Sequence, residues 1–180
     1  MQIRKYQESD FSTLCEIHDP ARKQELAAAN LTAAFIPFKI ASQKEGLFDD
    51  YQVYVAQKDK TTVGFVAFND EELGWLYVKP EYQHQGIGSQ LIDFAIKNAG
   101  RPFYLEVLEG NPAQKLYLAK GFKTIQHESG KMPGNESFHV EVDLMKYEKW
   151  LSDQTQSFFI TNYLEYYRLG NCRAYPSLRH

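Results

Sequence analysis

Two glycines, Gly86 and Gly88, stand where an apolar strand gives way to a helix. Pro80 ends the strand because it has no N–H group to donate to a sheet, and Ser89 leads into apolar residues with helical spacing. Backbone N–H groups at the positive end of a helix dipole bind phosphate, and glycine allows the anion to approach the backbone closely. The spacing therefore predicts a phosphate-binding turn; the alternative is a tight turn without a ligand.

Two common phosphate motifs do not match this turn. A dinucleotide-binding loop requires a third glycine where the chain has Leu91, and a P-loop requires Lys where the chain has Ser89. What remains is Gln-x-x-Gly-x-Gly, starting at Gln83 after a strand that ends in Val78-Lys79-Pro80. This pattern resembles the pyrophosphate loop for acetyl-CoA in the GNAT superfamily of N-acetyltransferases.

A second segment strengthens the resemblance. Residues 111–122 are similar to the family's Asn-x-x-Ala-x-x-x-Tyr-x-x-x-Gly-Phe segment, with one residue fewer between Asn111 and Ala113. Tyr117 and the pair Gly121-Phe122 stay in register. The two motifs together imply a GNAT-like fold, a three-layer α/β/α arrangement with a mixed central sheet whose fourth and fifth strands splay apart.

The resemblance implies that acetyl-CoA is the co-substrate. Its pyrophosphate is expected on the N–H groups of residues 85–89, and its pantetheine along residues 76–78 in the splayed gap. The expected cofactor-binding residues are Leu76, Tyr77, Val78, Gln83, His84, Gln85, Gly86, Ile87, Gly88, Ser89, Asn111 and Tyr117.

Transfer of an acetyl group requires a base for the amine and an acid for the departing thiolate. Glu72 is the first candidate base, because its place at the start of the fourth strand is similar to that of the glutamate in one GNAT branch. Glu106 is the second, because a carboxylate in the apolar strand 103–108 is costly unless it has a partner or faces a cleft. Tyr117 resembles the family's acid. The alternatives are a solvated charge for Glu72 and a core aromatic for Tyr117.

Periodicity and turn residues predict the elements around these sites. Two helices are expected to meet at Asp19-Pro20, with the second ending at Asn30, and a loop with a short helix is expected over 31–48. The helix after the glycine turn is expected to end at Gly100, and a loop is expected over 129–136. The predicted strands are 3–6, 51–57, 62–68, 72–78, 103–108, 122–126 and 138–145, with a helix over 113–120.

Composition limits the classes of partner. The chain has 180 residues, 43% of them hydrophobic, and a net charge of −3, which predicts one well-packed domain without affinity for nucleic acid or membranes. Cys15 and Cys172 have no metal-ligand spacing, and no metal site is expected. With no signal peptide, we expect a cytoplasmic protein with reduced thiols.

The composition changes after residue 148. Residues 1–148 are expected to form the acetyltransferase domain, and residues 149–180 an aromatic-rich extension that includes Phe158, Phe159 and Tyr163. Exposed aromatic residues in such number form a patch that soluble monomers avoid. We therefore expect the extension to pack in a homodimer, or alternatively on its own domain.

The sequence leaves three functions open. The first is an N-acetyltransferase that moves the acetyl group directly to a primary amine of a small molecule or peptide within a ternary complex. The second is an acyl-CoA-binding sensor without turnover, which is favoured if Glu72 and Glu106 both face away from the cleft. The third is an interaction protein that has this fold and uses the aromatic extension as its contact surface.

Overall fold

The computed structural model describes residues 1–100 and 102–148 of the chain. These residues form seven strands and five α-helices, in the order β-α-α-α-β-β-β-α-β-α-β-β. The helices are α1 (Phe11–Ala28), α2 (Phe38–Lys44), α3 (Leu47–Asp50), α4 (Ile87–Asn98) and α5 (Ala113–Ala119). The strands are β1 (Gln2–Lys5), β2 (Gln52–Lys58), β3 (Thr61–Phe68), β4 (Leu73–Val78), β5 (Phe103–Leu108), β6 (Lys123–Lys131) and β7 (His139–Tyr147).

The strands form two antiparallel sheets. The first has the order β1-β2-β3-β4 and the second the order β5-β7-β6. A single parallel bridge, Glu72 to Tyr104, links the beginnings of β4 and β5, where the Tyr104 N–H donates to the Glu71 carbonyl at 2.8 Å. Among the described residues, this bridge is therefore the only parallel pairing. The mixed sheet expected from the sequence consists of two antiparallel sheets that are joined at the bridge.

Alternate residues of β3 pack on opposite faces of the first sheet, as a two-residue period requires. Val66 and Phe68 contact a core that includes Leu91 and Ile92 of α4, whereas Phe65 belongs to a core with residues of α1 and α2. Helices thus cover both faces, and the predicted α/β class with three layers is confirmed.

The predicted break between two helices at Asp19-Pro20 is wrong. Helix α1 is continuous from Phe11 to Ala28 and contains Pro20 in its interior. Both halves bury apolar side chains, Leu14 and Ile17 before Pro20 and Leu26 after it. Since burial of both halves favours one continuous helix, it offsets the cost of the hydrogen bond that proline removes. Asn30, where a helix end was expected, follows the C-cap residue Ala29 and is left-handed, with φ of 59°.

Two smaller predictions also need correction. The C-cap of α4 is Ala99 rather than Gly100, and Gly100 is not left-handed. Glycine is needed at position 100 for a different reason, because a Cβ there would lie 2.5 Å from the Asp70 carbonyl oxygen. Strands β6 and β7 are longer than predicted, so that the loop between them is 132–138. Paired backbone groups from Lys123 to Lys131 explain the added length.

No helix within residues 1–100 and 102–148 is long and apolar enough to cross a membrane. The extension over 149–180, and with it Cys172 and the predicted dimer contact, lies outside the described residues.

Candidate active site

The glycine turn leads directly into helix α4. Gly86 precedes the first helical residue with φ of 79°, a left-handed conformation that favours glycine, and no side chain caps the helix. The Gln90 N–H closes the first turn on the Gly86 carbonyl at 3.1 Å, and the N–H groups before it have no partner within an α-helix. The Gln83 amide donates to the Val78 carbonyl at 3.1 Å, which anchors the turn to the end of β4.

The side chains of this turn divide into two groups. Ile87 is 3% exposed and belongs to the core, so that only its backbone is available to a ligand. His84 and Gln85 are exposed, and Gln85 accepts a hydrogen bond from Lys58 at 2.9 Å. Apart from its own chain neighbours, no residue has an atom within 4 Å of a Cβ placed on Gly86. The turn therefore presents an open backbone surface at the positive end of α4.

Strand β4 contains a bulge near its beginning, at the end of the strand away from the glycine turn. Ala67 of β3 pairs with Trp75 and Phe68 pairs with Leu73, which leaves Gly74 unpaired. A Cβ on Gly74 would lie 2.6 Å from the ring of Tyr51, so only glycine allows this contact. Bulges bend a strand and are common next to active sites.

A cavity of about 620 Å³ joins the glycine turn, the bulge and the second sheet. Twelve of the fourteen site residues singled out from the sequence line it, whereas Glu72 and Gln85 do not. The twelve are Leu76, Tyr77, Val78, Gln83, His84, Gly86, Ile87, Gly88, Ser89, Glu106, Asn111 and Tyr117. The structure thus brings nearly all of the predicted site to one place.

Comparison with known proteins agrees with this geometry. Residues 49–124 match the model of the family described as "Acetyltransferase (GNAT) domain". An uncharacterized N-acetyltransferase of Escherichia coli K12, YafP, is 30% identical over 138 residues, which cover 71% of this chain and 85% of the relative. The chain belongs to the GNAT family of N-acetyltransferases.

Two solved structures show the same fold. A GCN5-related N-acetyltransferase from Rhodopseudomonas palustris has a TM-score of 0.65 at 20% identity, over 82% of this chain and 95% of its own. The PaiA N-acetyltransferase of Thermoplasma acidophilum, solved in complex with coenzyme A, has a TM-score of 0.57 at 24% identity, over 82% of this chain and 98% of its own. The resemblance inferred from the two sequence motifs is therefore confirmed.

The candidate catalytic groups of this GNAT protein differ in their access to the cavity. Glu106 lies at the half-buried position of an otherwise buried strand and lines the cavity. Tyr117 is 7% exposed and also lines it; burial, together with the charge of Glu25, raises the pKa of its hydroxyl and keeps the phenol protonated. The Asn111 side chain accepts a hydrogen bond at 2.8 Å from the N–H of Ala113, the first residue of α5.

Glu72 is buried outside the lining of the cavity. Its carboxylate accepts a hydrogen bond from the Tyr51 hydroxyl at 2.5 Å, and its backbone N–H donates to the Asn69 side chain at 2.9 Å. Burial raises the pKa of Glu72 to about 7, although the hydrogen bond from Tyr51 favours the charged form. Because the ring of Tyr51 packs against Gly74, which lines the cavity, Glu72 lies one residue layer behind the wall.

The sequence did not single out the wall that α1 contributes to the cavity. Glu25 accepts three hydrogen bonds, from Arg22 Nη1 at 2.8 Å, from Asn111 Nδ2 at 2.9 Å and from the Tyr77 hydroxyl at 3.2 Å. This carboxylate connects α1 to β4 and to the start of α5. The only local signal was the i, i+3 pair of Arg22 and Glu25, which is common on solvated helices.

His18 is part of the same wall. It is 1% exposed, and its ring lies 4.7 Å from that of Tyr77 and 5.6 Å from that of Trp75, measured between centroids. Burial lowers the pKa of His18, so the ring is neutral near pH 7. Among residues 1–100 and 102–148, no cluster of three His, Cys, Asp or Glu side chains has the arrangement of a metal site.

Proposed function

We propose that the protein transfers an acetyl group from acetyl-CoA directly to a primary amine within a ternary complex. The observation that supports this most strongly is the shared cavity, which is lined by the N-terminus of α4, residues 73–78 of β4, Glu106, Asn111 and Tyr117. A site for phosphate, a path for pantetheine and a pair of acid–base candidates therefore surround one space.

The cofactor is proposed to bind from the glycine turn inwards. Its pyrophosphate accepts hydrogen bonds from the backbone N–H groups of residues 85–89 at the start of α4. Its pantetheine runs along residues 76–78 of β4, between the two sheets, and its thioester reaches Tyr117. Coenzyme A in the Thermoplasma acidophilum structure is consistent with this co-substrate.

The proposed chemistry needs one base and one acid. The amine nitrogen attacks the acetyl carbonyl carbon, the C–S bond breaks, and an amide and a thiolate result. Glu106 takes the proton that the amine loses, and the Tyr117 hydroxyl gives a proton to the thiolate sulfur. Holding both reactants in one cavity converts their encounter into a nearly unimolecular step.

A sensor without turnover is the weaker alternative. It was favoured only if both candidate bases faced away from the cleft, and Glu106 lines the cavity. The deciding experiment incubates the protein with acetyl-CoA and a panel of amines, and measures thiol release together with the mass of the product. Acetylated product that forms only with the protein supports the enzyme; binding of acetyl-CoA by calorimetry without product from any amine supports the sensor.

A further inference from the structure

His18 is a buried histidine whose ring is held in place by α1 and α2. Its Nδ1 lies 3.0 Å from Oδ1 of Asp19, and the same oxygen accepts a hydrogen bond at 2.8 Å from the N–H of Phe38, the first residue of α2. Because a carboxylate oxygen accepts hydrogen bonds, this contact assigns the proton of the neutral ring to Nδ1. The lone pair of the ring is then on Nε2.

The groups around His18 leave its ring neutral near pH 7. Burial has the largest effect on its pKa and lowers it, and the charge of Arg22 acts in the same direction, whereas Asp19 and Glu25 favour the charged form. The net direction is downward. Nε2 therefore accepts a hydrogen bond and does not donate one.

Nε2 of His18 borders the cavity. Among residues 1–100 and 102–148 it has no hydrogen-bond partner, because the contact with Asp19 is made through Nδ1. It is not one of the fully buried side-chain atoms that lack a partner either, so it faces open space, and the space that His18 lines is the cavity. A polar atom without a partner in such a buried place costs free energy, which a donor group of a bound molecule would recover.

His18 also lies at the inner end of the path proposed for the cofactor. Pantetheine is proposed to run from the glycine turn along β4, from Val78 towards Leu76, so that its thioester end lies towards Trp75. The rings of Trp75 and Tyr77 flank His18, at 5.6 Å and 4.7 Å between centroids. His18 is therefore placed where the amine is expected to meet the acetyl group.

We propose that His18 binds the acceptor, with its Nε2 accepting a hydrogen bond from an N–H group of the reacting amine, and that Asp19 positions the ring. This inference rests on the proposed acetyltransferase function and adds the residue that selects a primary amine.

The selection follows from counting protons on the attacking nitrogen. After a primary amine has attacked the acetyl carbon, its nitrogen carries two protons. One proton goes to the base, and the other stays on the nitrogen of the amide and is donated to Nε2. A secondary amine has one proton at this stage, which goes to the base, so that its nitrogen has none left for His18.

The kinetic test compares the fastest amine of the panel with its N-methyl derivative. His18→Phe keeps an aromatic ring and removes the acceptor atom, so it should lower kcat/KM for the primary amine about tenfold, the worth of one hydrogen bond, and change that for the N-methyl derivative little. His18→Gln, which places an amide oxygen near the position of Nε2, should restore part of the preference. His139→Phe, the same change at an exposed position of β7 outside the cavity, should keep it.

An unchanged preference in His18→Phe overturns the proposal. A loss of affinity for acetyl-CoA as large as the loss of kcat/KM also overturns it, because a purely structural residue would give that result. Binding of acetyl-CoA by the wild type without acetylation of any amine means that the proposed function itself fails, whereas acetylation with a preference that does not depend on His18 removes only this inference.

A second measurement needs neither turnover nor a variant that folds. NMR of the imidazole nitrogens of the wild type near pH 7 should show a proton on Nδ1 of His18 and none on Nε2. A proton on Nε2 overturns the proposal, because that nitrogen could not then accept a hydrogen bond from the amine.

Discussion

The hydroxyl of Tyr51 lies 2.5 Å from Oε1 of Glu72, and this short hydrogen bond is buried behind the Gly74 bulge. Glu106 acts electrostatically on the same hydroxyl, which places both carboxylates selected from the sequence near Tyr51. One carboxylate lines the cavity and the other does not. The two residues therefore have separable consequences, one for stability and one for turnover.

Glu72 should make the folded state less stable as pH rises. Burial raises its pKa from 4.5 to about 7, so above pH 4.5 the unfolded chain loses a proton that the folded chain keeps. The stabilisation present below pH 4.5 is lost progressively up to about pH 7, by up to about 3 kcal/mol. Urea unfolding between pH 4.5 and 7.5 should show this loss in the wild type and not in Glu72→Gln. Glu16→Gln, at an exposed position, is the control, and parallel curves for wild type and Glu72→Gln would contradict the prediction.

Glu106→Gln should lower kcat by roughly 10²- to 10⁴-fold, because it removes the proposed base from the cavity while keeping its shape. The part of the pH–rate profile that rises with pH should disappear in this variant and persist in Glu72→Gln. If Glu72 acts instead, through Tyr51, a limb centred near pH 7 should disappear in Glu72→Gln. Steady-state rates measured across pH with a reactive amine decide whether Glu106 or Glu72 is the base. If the rising part of the pH–rate profile survives in both variants, water acts as the base or the amine arrives already neutral.

Tyr117→Phe should slow turnover far more than it weakens binding of acetyl-CoA. The ring still packs against Phe122, at 6.0 Å between centroids, but the proton donor is lost. We expect a fall in kcat of roughly 10²-fold or more, with a Kd for acetyl-CoA within about threefold of the wild type. Calorimetry and steady-state kinetics on one preparation measure both. Equal losses in kcat and in affinity would indicate a structural residue instead of an acid.

Gly86→Val should abolish binding of acetyl-CoA. The new side chain would occupy the open space before α4 where the pyrophosphate is proposed to approach. Since Gly86 has φ of 79°, the change also adds backbone strain. Asn30→Val is a matched control, because Asn30 has φ of 59° and lies outside the cavity. We expect a comparable fall in Tm for both variants and loss of acetyl-CoA binding only in Gly86→Val. Unchanged affinity for acetyl-CoA in Gly86→Val would show that the turn does not bind the pyrophosphate.

Local signals predicted most of the scaffold of this site. The glycine turn and the strand before it depend on backbone geometry within a few residues, which the sequence records directly. Pro20 misled the prediction because its cost was offset by burial against distant strands. The residues that α1 contributes to the cavity wall were missed for a related reason: Glu25 meets Asn111, 86 positions away, only after folding. Contacts of that kind have no local pattern.

Residues 149–180 should determine the oligomeric state. The aromatic residues there would form an exposed apolar patch on a monomer, and a two-fold contact would bury two such patches at once. Multi-angle light scattering should therefore give a dimer for the full chain and a monomer for a chain that ends at Glu148. A monomer in both samples rules out the dimer and favours an extension packed on its own domain. A dimer that persists after truncation would place the interface on residues 1–148, where Ile40 and Phe48 are the first surface residues to substitute, since their side chains are 46% and 40% exposed.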